Sequence, residues 1–166
     1  MEKKLKLYLM AISVSLLLPF STAYAAANSG DKFGDWLFEC QALAANKTNC
    51  MLSQTLINKE SKQRVLRLAL SNIQDSKGLV LIAVLPLGIY LPSGVTLNTE
   101  KGTVIPLNLQ TCTQQGCIAT SALSSKHIKA IKAENELVVA FSVNKNTPVT
   151  LPVSLNGVSA GLKEIN

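Results

Sequence analysis

Histidine is almost absent from this sequence, because His127 is the single histidine in 166 residues. A serine–histidine–acid triad would have to use it as the general base. His127 lies in the lysine-rich segment SKHIKAIK, between Lys126 and Lys129, and no acid is close enough in the sequence to orient its ring. We therefore expect His127 to be a solvated helix residue.

The sequence has no glycine-rich phosphate loop, since PLGIYLPSG lacks the glycine spacing and the lysine–serine ending of such a loop. Its acidic residues are few and scattered. Glycoside cleavage needs two carboxylates on either side of the scissile bond. We expect Glu134 and Glu136 to be exposed to solvent, and Asp35, beside Trp36, to be a turn or edge residue bonded to nearby backbone. The sequence predicts a protein without enzymatic activity.

The sequence also lacks the C-x-x-C motif of dithiol oxidoreductases. A structural zinc site usually takes four ligands as two closely spaced pairs. Cys112 and Cys117 approach that spacing, but nine residues separate Cys40 from Cys50. We therefore expect neither a metal ion nor another cofactor.

The apolar run near the start is too short for a membrane span. LYLMAISVSLLLPF has 14 residues, whereas roughly 20 are needed to cross a bilayer. It follows the basic head MEKKLK and precedes the small-residue stretch STAYAAAN, which is the arrangement of a secretory signal peptide. We predict that residues 1–25 are a signal peptide. Residues 26–166 would then form an exported protein that is periplasmic, associated with the outer membrane or extracellular.

The positive charge of the predicted exported protein is mild. Loss of Lys3, Lys4, Lys6 and Glu2 with the signal peptide lowers the formal charge from +6 to +4. This charge suits weak attraction to lipid headgroups or acidic glycans, and it does not indicate nucleic-acid binding. The densest basic cluster, which we expect to be a solvated turn and strand face, consists of Lys59, Lys62, Arg64 and Arg67.

Most of the sequence has the pattern of short strands separated by turns. The most apolar stretch, GLVLIAVLPLGIYLP, is interrupted by Pro86 and Gly88, which predicts a strand buried on both faces and then a bend. One segment has near-helical spacing of its apolar residues and a serine to cap it, so we expect a short helix at about 123–133. About nine short strands in one domain predict an all-β sandwich of antiparallel strands with one short helix.

The spacing of the cysteines predicts two disulfides, each of which closes a hairpin. In TCTQQGCIAT, strands on either side of a four-residue loop would place Cys112 opposite Cys117, within disulfide reach. The segment QALAANKTN would form a longer hairpin loop between Cys40 and Cys50. Among the three connectivities that four cysteines allow, we therefore favour Cys40–Cys50 and Cys112–Cys117.

With these segments identified, the chain resembles the invasion-associated locus B proteins of Gram-negative bacteria over about residues 32–163. The resemblance rests on four segments in the same order, which are FGDWLFEC, LPLGIYLPSGVTL, LNLQTCTQQGCIAT and LPVSLNGVSAGL. The chain departs from the family pattern at Val158, where an aromatic residue is frequent, and at Glu100 and Lys101, where an aspartate–glycine turn is expected.

The resemblance implies an exported β-sandwich that contributes to host-cell invasion or colonisation, and it implies no catalytic residues. We expect a protein or glycan partner in the envelope or on host cells, contacted by a sheet face or by the 41–49 segment, and peripheral association with the outer membrane. The alternatives are a periplasmic binding or inhibitor module for a small ligand or envelope enzyme and, less favoured, a periplasmic chaperone for outer-membrane proteins.

Overall fold

The computed structural model describes residues 26–44, 47–72 and 78–165. The predicted signal peptide, residues 1–25, lies outside these described residues. Within them the chain forms two helices, α1 (Ser125–Ala133) and α2 (Val158–Gly161), a short 3-10 turn at Leu91–Ser93, and ten strands. The strands are β1 (Lys32–Phe33), β2 (Trp36–Ala44), β3 (Lys47–Ile57), β4 (Arg64–Asn72), β5 (Leu79–Leu85), β6 (Val95–Thr99), β7 (Val104–Thr113), β8 (Gly116–Ala122), β9 (Glu136–Asn144) and β10 (Thr147–Ser154).

The strands are antiparallel throughout and follow the spatial order β1-β2-β3-β4-β5-β8-β7-β6-β9-β10. β7 belongs to both layers, since Val104–Leu107 pairs with β6 whereas Asn108–Thr113 pairs with β8. One layer therefore contains β1 to β5 and β8, and the other contains β6, β9 and β10. This confirms the predicted antiparallel fold; the structure has ten strands rather than about nine because a turn at Gly34 and Asp35 separates β1 from β2.

The core lies between the two layers and consists of the side chains that alternate inward along each strand. Leu68 and Leu81 of the first layer and Leu97 and Val139 of the second are fully buried. The segment after β10 covers one side of this core, where Val158 and Leu162 of the α2 region are also buried.

The most apolar segment divides at the predicted bend. In β5, Leu81 and Leu85 are buried in the core, and Ile82 and Val84 are half-buried on the outer face. We expected a strand buried on both faces. The inner face of β5 is fully buried, whereas its outer face is only partly buried. After β5 the chain runs along the surface, and Leu87 and Leu91 are exposed.

The predicted helix is present as α1 and begins two residues later than expected. Ser124 is its N-cap, with its hydroxyl oxygen accepting from the backbone N–H of His127 at 3.2 Å. Ile131 packs into the core, and Lys126, Lys129 and Lys132 are exposed. None of the helices in the described part of the chain has the length and apolar character to cross a bilayer.

Candidate functional site

Within the described residues, the distal part of the β2–β3 hairpin extends beyond the strands that pair with it. β3 and β4 stop pairing at Met51 and Ser71, whereas β2 and β3 continue through Gln41 opposite Asn49 and Ala42 opposite Thr48. We call residues 41–44 and 47–49 the ribbon. The sequence predicted a long loop here, and that prediction was wrong, because most of these residues continue the ladder; residues 45 and 46 lie outside the described part of the chain.

The Cys40–Cys50 disulfide closes the base of the ribbon. The two sulfur atoms are 2.07 Å apart, and the two Cα atoms are 4.0 Å apart. This close approach is typical of a non-hydrogen-bonded antiparallel pair, in which the backbone polar groups point away from the partner strand. Accordingly, the Cys40 N–H points outward and donates to the Ser29 hydroxyl oxygen at 3.0 Å. The predicted pairing of these two cysteines is confirmed.

The ribbon presents a small, weakly charged surface to solvent. Residues 41–44 are all exposed, and Leu43 is 68% exposed, the largest fraction among the large apolar side chains of the described residues. Lys47 is the one charged residue of the ribbon.

An ion pair holds the outer face of the sheet beside the ribbon. Arg67 donates to the Glu39 carboxylate at 2.6 Å, and the Ser53 hydroxyl donates to the same carboxylate oxygen at 2.5 Å. Burial disfavours the charged carboxylate, but the hydrogen bonds from Ser53 and Arg67 and the charge of Arg67 together outweigh it, so the pKa of Glu39 lies below its usual 4.5. Arg67 is therefore engaged with Glu39 and does not belong to the free basic cluster that the sequence suggested.

A cleft of about 470 Å³ lies where β3 and the turn before β2 approach β10 and the start of β9. Asp35 and Glu136 contribute carboxylates to its lining, and Ser154 contributes a hydroxyl. The Ser154 hydroxyl donates to the Asp35 carboxylate at 2.6 Å, and the Trp36 indole N–H donates to the Ser154 carbonyl oxygen at 2.9 Å. Gln54 donates to the carbonyl oxygens of Asp35 and Ser154, each at 3.2 Å. These contacts join β2, the turn before it and β3 to β10, and the serine hydroxyl donates to a carboxylate rather than to an imidazole.

His127 is part of the helix cap. The backbone N–H of Ser124 donates to its Nδ1 at 3.4 Å, which completes a capping box. This contact engages one ring nitrogen in holding the start of α1. Among the described residues, no three His, Cys, Asp or Glu side chains converge in a way that could hold a metal ion.

The structure places the two late glutamates in different environments. The expectation that both are exposed was wrong for Glu134, whose side chain is only 3% exposed and lies 3.7 Å from the Lys101 amine. Glu134 ends α1 with an extended backbone conformation, which turns it inward before β9 begins. Glu136 is half-buried at the edge of the cleft. Sequence alternation missed this difference because it treated the two residues as parts of one strand.

The second disulfide, Cys112–Cys117, has a sulfur–sulfur distance of 2.03 Å and closes the β7–β8 hairpin, again as predicted. This hairpin ends immediately beyond the disulfide, at a tight turn formed by Gln114 and Gln115. The Gln115 carbonyl oxygen accepts a hydrogen bond from the Arg64 guanidinium at 2.5 Å, so the turn is attached to the neighbouring β3–β4 connection.

Residues 36–166 match the model of the Invasion associated locus B (IalB) protein family. The chain belongs to this family. It is 29% identical over 153 residues to the "Invasion protein B homolog" of Brucella abortus strain 2308, which covers 87% of this chain and 86% of that protein. A homologue from Brucella abortus biovar 1 strain 9-941 matches with the same identity and coverage.

The fold also matches a solved structure. The crystal structure of invasion associated protein b from Bartonella henselae superimposes with a TM-score of 0.70 and 24% sequence identity. The match covers 81% of this chain and 92% of that chain. At this level of identity the likeness shows the shared fold.

Proposed function

We propose that this invasion-associated protein is exported and acts in the bacterial envelope or at the cell surface, where it promotes host-cell invasion through non-catalytic contacts. The observation that carries the proposal is the ribbon, which projects beyond the sheet, is closed at its base by a disulfide and exposes Leu43 to solvent. A projecting two-stranded segment of this kind offers backbone edges and side chains to a protein partner.

The contacts made by the reactive residue types support the non-catalytic part of the proposal. The Ser154 hydroxyl donates to Asp35, His127 completes a helix cap, and the four cysteines form two disulfides. A serine activated by a histidine would hydrogen-bond to its imidazole, and such a bond would indicate covalent catalysis. The serine and the histidine are each bonded to other partners.

A double variant of the ribbon tests this function. Ala44→Glu with Lys47→Glu changes the charge of two exposed ribbon residues, and we expect reduced association of the bacteria with host cells and unchanged folding. Ala122→Glu with Lys126→Glu makes the same chemical change at exposed positions near α1 and serves as the matched control. If bacteria with the ribbon variant associated normally with host cells, the ribbon would not be the contact surface.

Protease accessibility on intact bacteria, compared with a known periplasmic protein, tests the cellular location. Digestion together with surface markers is the expected result for a protein that contacts host cells directly. Protection until the outer membrane is permeabilised would contradict surface exposure. That result would favour the second candidate, a periplasmic binding or inhibitor module, for which the cleft lined by Asp35 and Glu136 is the available ligand site.

A further inference from the structure

Four connections meet at the end of the molecule remote from the ribbon. These connections are the turns at residues 58–63, 86–94, 113–116 and 145–146. We use the name loop end for these four turns together with the flanking residues 57, 64 and 143. Three contacts join these connections in space. Arg64 bonds to Gln115, Leu85 pairs with Cys117 just before the 86–94 segment begins, and the Tyr90 N–H donates to the Ser142 carbonyl oxygen at 2.7 Å.

The exposed apolar side chains are concentrated at the loop end. Among the described residues, six large apolar side chains are exposed, and four of these six belong to the loop end, with exposed fractions between 44% and 57%. The four residues are Ile57, Leu87, Leu91 and Val143. They are aliphatic residues in turns or at strand ends, so they project singly and do not form the packed aromatic centre that is typical of a protein interface.

The cations of the loop end are also exposed, and their charge is hardly compensated. The four cations are Lys59, Lys62, Arg64 and Lys145, and Glu60 is the one acid in these segments. The salt bridges among the described residues, Arg67–Glu39 and Lys101–Glu134, involve none of them. Within the described residues, therefore, no carboxylate lies within salt-bridge distance of these exposed cations, and Arg64 donates to the Gln115 carbonyl oxygen.

Lys62 has an unusual backbone conformation. Its φ angle is 57°, in the left-handed region, and it is the one non-glycine residue with a positive φ in the described part of the chain. This conformation is unfavourable for a residue with a side chain, and glycine or asparagine usually occupies it. A lysine at this position therefore keeps a cation at the tip of the β3–β4 turn despite the local strain.

We propose that the loop end is a docking surface for an anionic phospholipid bilayer. The isolated aliphatic side chains would enter the boundary between headgroups and acyl chains, and the surrounding lysines and arginine would contact lipid phosphates. Lysine is depleted at the centre of protein interfaces, so its association with exposed aliphatic side chains favours a lipid surface over a protein partner. This surface is separate from the ribbon and does not depend on the function proposed for it.

The fold determines where the ribbon would lie relative to a bilayer bound at the loop end. β3 runs from Lys47 in the ribbon to Ile57 at the loop end, over 11 residues. A strand of that length spans about 35 Å. A protein bound to a bilayer through the loop end would therefore hold the ribbon well away from the lipid surface.

Vesicle co-sedimentation tests the proposal. The experiment uses the protein as isolated from expressing cells, with its N-terminus determined by intact mass, and vesicles of phosphatidylcholine with or without phosphatidylglycerol. We expect binding only to the anionic vesicles, weakened by added salt because the Debye length shortens. Replacement of Lys59, Lys62 and Lys145 by glutamine should lower the partition coefficient about five-fold for each cation removed. Leu87→Asp with Leu91→Asp should lower it at least about ten-fold.

Matched control variants distinguish binding through the loop end from nonspecific binding to vesicles. Lys126, Lys129 and Lys132 replaced by glutamine remove three exposed cations from α1, and Val104→Asp alters an equally exposed apolar residue that lies outside the loop end. Both controls should bind anionic vesicles as the unmodified protein does, and circular dichroism should show that all variants are folded. The proposal is overturned by equal binding to pure phosphatidylcholine, by absence of binding to anionic vesicles at low salt, or by equal losses in the control variants.

Discussion

The β2–β3 and β7–β8 hairpins are each closed by a disulfide, but they differ in the contacts that their turns make with neighbouring elements. Beyond Cys40 and Cys50 the β2–β3 hairpin continues for several exposed residues, and β4 gives no further pairing. Beyond Cys112 and Cys117 the β7–β8 hairpin turns at once, and Arg64 bonds to its tip. The comparison indicates that a disulfide closes a hairpin locally, whereas neighbouring elements decide whether the tip projects as the ribbon or becomes part of the loop end.

The largest expected effect comes from Gly116, which begins β8 at the loop end with a φ of 129°. A side chain there would overlap the Leu85 carbonyl oxygen, so we expect Gly116→Ala to lower the free energy of unfolding by about 3 kcal/mol or more. Gly88→Ala is the matched control, because Gly88 also has a positive φ but open space around it, and it should cost only about 1 kcal/mol. Denaturant titration measures both values, and equal losses would contradict this account of the attached tip.

The two disulfides should differ in the consequence of removal. Cys40→Ala with Cys50→Ala opens a separation of 10 residues, and the expected loss is about 2–3 kcal/mol in the free energy of unfolding. Cys112→Ala with Cys117→Ala opens a separation of 5 residues, with an expected loss of about 2 kcal/mol.

Limited proteolysis distinguishes the two hairpins more sharply than stability does. Loss of the first disulfide should expose the ribbon to a protease of broad specificity such as proteinase K, since within the described residues β3 pairs with β4 only as far as Met51, and the ribbon's Asn49 is held to β4 by a side-chain hydrogen bond from the Ser71 hydroxyl at 3.1 Å. Loss of the second should create no new early cleavage site, because Arg64 still holds the Gln115 carbonyl oxygen. Early cleavage near the β7–β8 turn would show that the disulfide, and not the neighbouring connection, keeps that tip in place.

The ion pair beside the ribbon should contribute less, and its contribution should depend on pH. Glu39→Gln removes the charge that Arg67 contacts, and because both side chains are about one third exposed we expect a loss of about 1 kcal/mol or less at neutral pH. The folded-state pKa of Glu39 is lowered, so its stabilisation is present above the usual pKa of 4.5 and is lost as the pH falls through the folded-state pKa. Thermal unfolding of both proteins should therefore differ at neutral pH and converge in acid; a constant difference would contradict the assignment.

The smallest expected change in stability is a gain at the loop end. Lys62→Gly relieves a positive φ and should raise the free energy of unfolding by a few tenths to about 1 kcal/mol while weakening vesicle binding. Lys59→Gly removes the same charge from the same turn without relieving such a conformation, so it should weaken vesicle binding with no gain in stability. If neither stability nor vesicle binding changed in Lys62→Gly, the strained lysine would have no part in the docking surface.

Much of the fold could be predicted from short-range patterns. Alternating apolar residues indicated the strands, a capping serine at position 124 or 125 indicated the start of α1, and cysteine spacing indicated the disulfide in each hairpin. Each of these signals acts over a few residues, through side-chain alternation, capping or loop closure. Where a prediction depended on neighbours in space it was wrong, as for residues 41–44 and 47–49, which are strand rather than loop, and for Glu134, which is buried and lies 3.7 Å from the amine of the exposed Lys101.

The strand-rich class, the capped helix and the covalent pairing follow from short stretches of sequence, because local steric effects and hydrogen bonding decide them. Which parts of the chain meet depends instead on long-range packing. The order β5-β8-β7-β6-β9 differs from the order along the chain, and β7 passes from one layer to the other. That crossing places the turns at 58–63, 86–94 and 113–116 at one end and leaves the ribbon at the other. Residues far apart in the chain form these surfaces because burying the apolar faces of the two layers against each other brings them together.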